Sequence, residues 1–254
     1  MYPYIYFFGY KMGLFPLCVG IGLASGVFFI FRRLKGMAIS PERENQVMVA
    51  VPLTFIIGVV GGYLTDAFLR GGISALRDNP TGWGLTYYGW LLSAIAFLII
   101  YSYYNRISCS FMLNLFLPAF ALAQAWGRLG CFLGGCCYGK PAAWGVRYPQ
   151  GSLPYSCYGS TPLIPVQVFE SIYLFCIFFI LYKFTRFKKR GALYLLLVPV
   201  GRFVLEFFRN DDRGALFGNF LSPSQWISVF LFIIGGSWLF IIMKQTVHTN
   251  GIKK

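Results

Sequence analysis

Runs of about 20 predominantly apolar residues recur along the whole chain, and no soluble core has room for so many of them. A helix rising 1.5 Å per residue crosses about 30 Å of hydrocarbon in that length. Candidate windows fall at about 12–31, 47–69, 85–104, 109–127, 164–184, 191–208 and 222–243. Charged residues make up 12% of the 254 positions, against about 25% in soluble domains, while 57% are apolar. Hydrocarbon offers backbone groups no partner, so the spans must be helical. The expected fold class is all-α: a polytopic membrane protein with about seven transmembrane helices, a single transmembrane domain over residues 1–254.

The net charge of +14 is spread beside the apolar spans and forms no separate basic domain, so nucleic acid is not an expected partner. Arg32, Arg33, Lys35 and Arg43 follow the first span, and Lys183, Arg186, Lys188, Lys189 and Arg190 follow the fifth. The positive-inside rule assigns both clusters to the cytoplasm. Seven spans then place the N-terminus outside, and the tail with Lys244, Lys253 and Lys254 inside. The segment from Thr185 to Arg190 is expected to be a solvated basic loop, a topology signal with some attraction for anionic headgroups. On the opposite face lie Arg70 to Gly84, Arg128 to Leu163 and Arg209 to Leu221. The middle connection, an extracytoplasmic loop region at about 128–163, is long and rich in Gly, Pro, Tyr and Cys, as functional loops often are. The aromatic-rich stretch from Met1 to Lys11 has no basic n-region or small-residue cleavage site, so no removable signal peptide is expected.

Charges inside apolar spans carry the functional argument. Arg202 and Glu206 stand four apart within Leu195 to Phe208, hence on one helix face. A charge near the bilayer centre costs at least about 2.5 kcal/mol, so such groups turn inward or towards water. Two readings fit: a pair that merely neutralises itself, or an arginine held to bind an anion. Arg128, ending the fourth span, either snorkels to the interface or joins Arg202 in forking onto one phosphate. Glu170 is either a local interfacial acid or a proton acceptor, and Asp66 in the second span is either a structural hydrogen-bonding group or an arginine's partner. Cys131, Cys136 and Cys137 present a thiol nucleophile or redox pair beside Arg128, or else small residues welcome at a helix interface. With Cys157 they make an extracytoplasmic disulfide conceivable, without its pairing. The seven cysteines lack repeated C-x-x-C spacing and His248 is the only histidine, so no metal site is expected. Tyr87, Tyr88, Trp90, Tyr101, Tyr103 and Tyr104 around the third span read as an interfacial aromatic belt.

The run Gly127-Arg128-Leu129-Gly130-Cys131-Phe132-Leu133-Gly134-Gly135-Cys136-Cys137-Tyr138-Gly139-Lys140-Pro141, followed by Trp144-Gly145-Val146-Arg147-Tyr148-Pro149, resembles the signature region of prolipoprotein diacylglyceryl transferases. Four further segments fall in that family's order: Gly84-Leu85-Thr86-Tyr87-Tyr88-Gly89, Pro165-Val166-Gln167-Val168-Phe169-Glu170, Gly201 to Arg209, and Ser224-Gln225-Trp226. The resemblance implies a multi-pass enzyme of the bacterial cytoplasmic membrane that moves the diacylglyceryl group of phosphatidylglycerol, or of another anionic phospholipid, to the thiol of a lipobox-containing precursor. Glycerol phosphate leaves, and no cofactor is implied. By the same resemblance Arg128 and Arg202 grip the donor phosphate and Glu206 orients Arg202. Tyr88 and Glu170 complete the catalytic set, while Gly89, Cys131, Gly139, Gln167 and Arg209 belong to substrate binding. The chain departs from the family pattern in having Tyr88 and Ile164 where histidine is common, Cys131 where asparagine is typical, and Tyr63 where arginine is usual. Glu170, Glu206 or Tyr88 acting through water would then supply the base. The alternatives are a paralogue with a different acceptor, and a non-catalytic protein that binds or transports anionic lipid.

Overall fold

In the computed structural model, residues 4–7, 10–69, 86–210 and 221–251 are described. The expected connection from Arg70 to Gly84 lies outside them, as do Leu85, most of the connection from Arg209 to Leu221, and Lys253 and Lys254.

A two-stranded antiparallel hairpin, β1 (Tyr4–Phe7) with β2 (Tyr10–Gly13), pairs Tyr4 with Gly13 and leads into the first helix. The helices that follow are α1 (Leu14–Lys35), α2 (Pro41–Leu69), α3 (Tyr87–Tyr104), α4 (Cys109–Gly134), the short α5 (Leu153–Tyr158), α6 (Val166–Phe179), α7 (Arg190–Glu206) and α8 (Pro223–Gly251). A lone strand, β3 (Pro141–Val146), lies between α4 and α5. Among the described residues six helices are long and apolar enough to cross a membrane: α1 to α4, α6 with its π-helical extension to Phe184, and α8. The chain is thus an all-α polytopic membrane protein. The remaining expected span is α7, only 17 residues long and carrying Arg202 and Glu206 in its last two turns.

The ends of these helices follow local rules. Arg32, Arg33 and Lys35 occupy the last turn of α1, and Glu42 and Glu44 the first turn of α2, each favoured by the helix dipole. Ser40 caps α2 by accepting from the Arg43 amide at 3.4 Å, and Pro41 stands where its missing N–H leaves nothing unpaired. Lys35 and Glu44 then close the turn at 2.9 Å. One expectation fails in the loop after α6. Arg190 is buried, its Nη2 donating to the Tyr182 carbonyl at 2.9 Å and its Nε to that of Thr185 at 3.3 Å. It ties off the unwinding π-helical turn instead of belonging to a solvated basic loop.

The chain divides into two compact units, Phe31–Leu115 and Met1–Ile30 with Phe116–Lys254. In the first, α2 packs on α3 through small residues. A Cβ at Gly61 would run into the Ser93 side chain, so only glycine permits this approach. Thr86 reinforces the contact, donating its amide (3.4 Å) and hydroxyl (3.0 Å) to the Gly62 carbonyl. In the second unit, Gly22 on α1 lies against the Ala123 backbone of α4, Tyr173 of α6 packs over Gly201 of α7, and Gly235 of α8 meets the backbone of α7 at Leu195. Large apolar side chains such as Phe68, Phe230 and Phe240 point outward, as lipid-facing residues do.

Replacing Gly61 with alanine should destabilise the folded protein by about 1–3 kcal/mol through overpacking against Ser93. Gly20→Ala, where nothing lies within 4 Å of the added carbon, should be neutral or slightly stabilising. Unfolding midpoints of the two variants in detergent micelles provide the comparison.

Candidate functional site

Three helices of the larger unit each turn a polar face inward. On α4 it is Gln124 and Arg128, spaced i to i+4; on α6, Gln167, Glu170 and Ser171; on α7, Arg202 and Glu206. Ser171 Oγ donates to the Ala125 carbonyl at 2.8 Å and the Trp126 ring meets that of Phe175 edge-on with centroids 5.5 Å apart, locking α6 against α4. Tyr173 donates its hydroxyl to the Leu197 carbonyl at 2.7 Å, locking α6 against α7. The polar faces are thereby brought to one place.

Glu170 stands at their junction. Its Oε1 takes Arg128 Nε at 3.0 Å and Gln124 Nε2 at 3.5 Å, and its Oε2 takes Arg202 Nη1 at 3.4 Å. Arg202 Nη2 reaches Glu206 Oε2 at 2.9 Å, and Glu206 Oε1 accepts the Ser222 hydroxyl at 3.2 Å. Arg128, Glu170 and Arg202 are 8%, 3% and 2% exposed, so solvent does little to screen them. Arg128 is thus turned inward onto a carboxylate, and Glu170 is no local cap: its partners come from two other helices. Arg202 Nε lies buried without a hydrogen-bond partner, a donor available to a ligand.

The adjoining loop is built onto the same helices. Gly139 pairs with Arg209 in an isolated antiparallel bridge, its amide donating to the Ile164 carbonyl at 2.9 Å, while Lys140 donates to the Phe208 carbonyl at 2.9 Å. A Cβ on Gly139 would sit 2.6 Å from Val166 Cγ2 and 2.7 Å from the Phe208 oxygen, so the position excludes any other residue. Gln167 Nε2 donates to the Cys136 carbonyl at 2.7 Å and to the Tyr148 hydroxyl at 3.1 Å. Burial pushes the Tyr148 phenol above its usual range, against the opposing hydrogen bond from Gln167, so it stays neutral at physiological pH. Hydrogen bonds from Cys131 and Cys136 hold the Cys137 thiol well below its usual range against the effect of burial, with Arg128 and Arg209 adding to the depression.

Of the residues singled out in the sequence, Arg128, Glu170, Arg202 and Glu206 form one ion network, and Cys131, Gly139, Gln167 and Arg209 lie in or against the loop that abuts it. Tyr88 and Gly89 belong to the other unit, at the start of α3: Tyr88 is buried with its ring 5.1 Å from that of Tyr87, and Gly89 packs against Thr65 and Thr86. Asp66 is buried on α2 in that unit as well. All seven cysteines are free thiols. Gln124 and Ser222 were not anticipated. Gln124 had a signal, a polar residue one turn before Arg128 within an apolar helix; Ser222 had none.

A family model described as prolipoprotein diacylglyceryl transferase matches residues 3–242. The chain belongs to the prolipoprotein diacylglyceryl transferase family. It is 31% identical over 249 residues to phosphatidylglycerol--prolipoprotein diacylglyceryl transferase 2 of Clostridium perfringens, covering 93% of each chain. It is 32% identical over 237 residues to the phosphatidylglycerol--prolipoprotein diacylglyceryl transferase of Clostridium tetani, covering 90% of this chain and 92% of that one. The enzyme of that name from Streptococcus mutans is 28% identical over 249 residues, with 92% and 91% covered. The family match spans the ion network and the adjoining loop.

Removing one partner of a buried ion network leaves the others uncompensated, at about 3–5 kcal/mol. Glu170→Ala should therefore lower stability by that amount, whereas Ser222→Ala, which removes a hydrogen bond to a carboxylate and the hydroxyl that accepts the Gln225 amide, should cost about 1.5–3 kcal/mol. Denaturant unfolding in micelles separates the two.

Proposed function

We propose that this chain transfers the diacylglyceryl group of phosphatidylglycerol to the cysteine thiol of a lipobox-containing prolipoprotein; its relatives are named as phosphatidylglycerol--prolipoprotein diacylglyceryl transferases, which supports the donor and the class of acceptor. The observation that carries the reading is the convergence of two buried guanidinium groups, from α4 and α7, on one small volume. Arg209, also buried, adds a third guanidinium close enough to act on Arg202, so the site is rich in cations in a desolvated setting. An anion entering such a place is bound by charge-assisted hydrogen bonds far stronger than those in water.

The proposed chemistry is a displacement at carbon. The thiol sulfur attacks the glyceryl carbon that carries the phosphate, a C–S bond forms, the C–O bond breaks, and its electron pair stays on the departing glycerol phosphate. Arg128 and Arg202 hold that phosphate and stabilise the charge it gains. Glu206 fixes Arg202 through Nη2, and Glu170 sets the spacing of the two guanidinium groups. Glu206 Oε1 faces only the Ser222 hydroxyl among its described partners, which makes it the favoured acceptor of the thiol proton, directly or through water. Tyr88 is assigned to the acceptor side, and Gly139, Gln167 and Arg209 to shaping the donor's binding surface. In this reading the chain works as one transmembrane domain of seven spans in the bacterial cytoplasmic membrane, with the loop at 128–163 and the N-terminus outside and the C-terminus inside.

Purified protein in phosphatidylglycerol vesicles, given a lipobox peptide, should produce thioether-linked diacylglyceryl peptide and free glycerol phosphate. Arg128→Ala and Arg202→Ala should each lower the rate about 100-fold or more, the scale of losing a donor that stabilises developing negative charge. Tight lipid binding with no glycerol phosphate released would replace the transferase by a lipid-binding protein.

A further inference from the structure

The transfer chemistry leaves Cys136 and Cys137 without a task. Their Sγ atoms and that of Cys131 all lie within 4.8 Å of one another, a grouping of metal-ligating side chains unmatched among the described residues. The triangle is built by the backbone. α4 ends at Gly134, and left-handed conformations at Gly135 (φ 73°) and Cys137 (φ 60°) fold the chain back so that two consecutive thiols face the last turns of the helix. For a cysteine that conformation costs about 1 kcal/mol, so the surrounding contacts must enforce it. The Cys136 amide donates to the Cys131 carbonyl at 3.0 Å, and Gln167 Nε2 grips the Cys136 carbonyl at 2.7 Å. All three residues are partly shielded, neither open to solvent nor sealed from it.

Thiolates select soft cations. Three sulfurs around one ion at a metal–sulfur distance of about 2.3 Å stand about 4.0 Å apart, a spacing that falls within the 4.8 Å bound of this triangle. Zinc in a closed site takes four ligands, whereas a monovalent d10 ion is content with three. Three thiolates around such an ion carry −2, and Arg209 together with Arg128, which also pairs with Glu170, offsets part of that charge. We propose that Cys131, Cys136 and Cys137 form a trigonal thiolate site for a soft monovalent cation, with Cu(I) as the ion that fits it.

The test uses the full-length protein in detergent micelles, reduced and under anaerobic conditions, titrated with Cu(I) against a chromophoric Cu(I) chelator. The protein should withdraw one equivalent, show thiolate-to-copper ultraviolet absorption, and give an X-ray absorption spectrum with three sulfur neighbours. Bound copper should protect Cys136 and Cys137 from alkylation, read peptide by peptide in the mass spectrometer. The double variant Cys136→Ser/Cys137→Ser should lose the equivalent, and Cys157→Ser should keep it. No withdrawal of copper from the chelator, an unchanged equivalent in the double variant, protection confined to other cysteines, or a copper-driven disulfide within the triangle would each overturn the proposal. The protection experiment needs only the unaltered protein, so a misfolded variant does not blunt the test.

Discussion

One carboxylate holds two buried arginines from two different helices, and the geometry of the larger unit follows from that. Unlike charges 4 Å apart at an effective dielectric constant of about 20 attract by about 4 kcal/mol, and like charges repel as strongly. Without Glu170, Arg128 and Arg202 would drive α4 and α7 apart; with it, each guanidinium takes its own oxygen and α6 becomes the hinge between the other two. A buried network of this kind is seldom the most stable solution, because apolar side chains of similar volume do as well or better. Its persistence in an otherwise apolar bundle is better explained by something the cations must hold.

The spans were legible because lipid imposes a length and an apolar composition that no soluble element shares. Arg202 and Glu206 were legible as a pair because a helix encodes the spacing i to i+4 locally. Glu170 was legible as a candidate but its pairing was not, for its partners lie 42 and 32 positions away on other helices, and no local periodicity records such a meeting. Arg190 was misjudged for a related reason: in sequence it ends a run of cations, and only the unwinding of α6 into a π-helical turn leaves two carbonyls for it to satisfy. The thiol triangle depends on a left-handed cysteine at position 137, a conformation that a sequence reading assigns to glycine.

The loop after α4 extends the same order outward. Gly139, Lys140, Ile164, Phe208 and Arg209 form a short ladder joining the ends of α4, α6 and α7, so the segment rich in Gly, Pro, Tyr and Cys is ordered by main-chain bonds together with a small aromatic cluster of Tyr138, Tyr148 and Tyr158. Gln167 couples it to the ion network: the side chain reaches Cys136 and Tyr148, while the backbone of the same helix turn carries Glu170. A shift in the loop is thereby felt by the helix that spaces the arginines.

The ladder also explains why the missing histidine next to Pro165 need not disable the proposed reaction. Ile164 is buried, and its amide and carbonyl serve Lys140 and Gly139, so the position's main-chain role survives without an imidazole. What the imidazole would add is help in removing a proton from a thiol, and a cysteine thiol with a pKa of about 8.5 already supplies a few per cent of thiolate near neutral pH. The harder part of a displacement at carbon is the departure of the phosphate, whose charge must be met where water is scarce. In the proposed reaction that part falls to Arg128 and Arg202, and the proposal asks of Glu206 only the lesser task of accepting a proton.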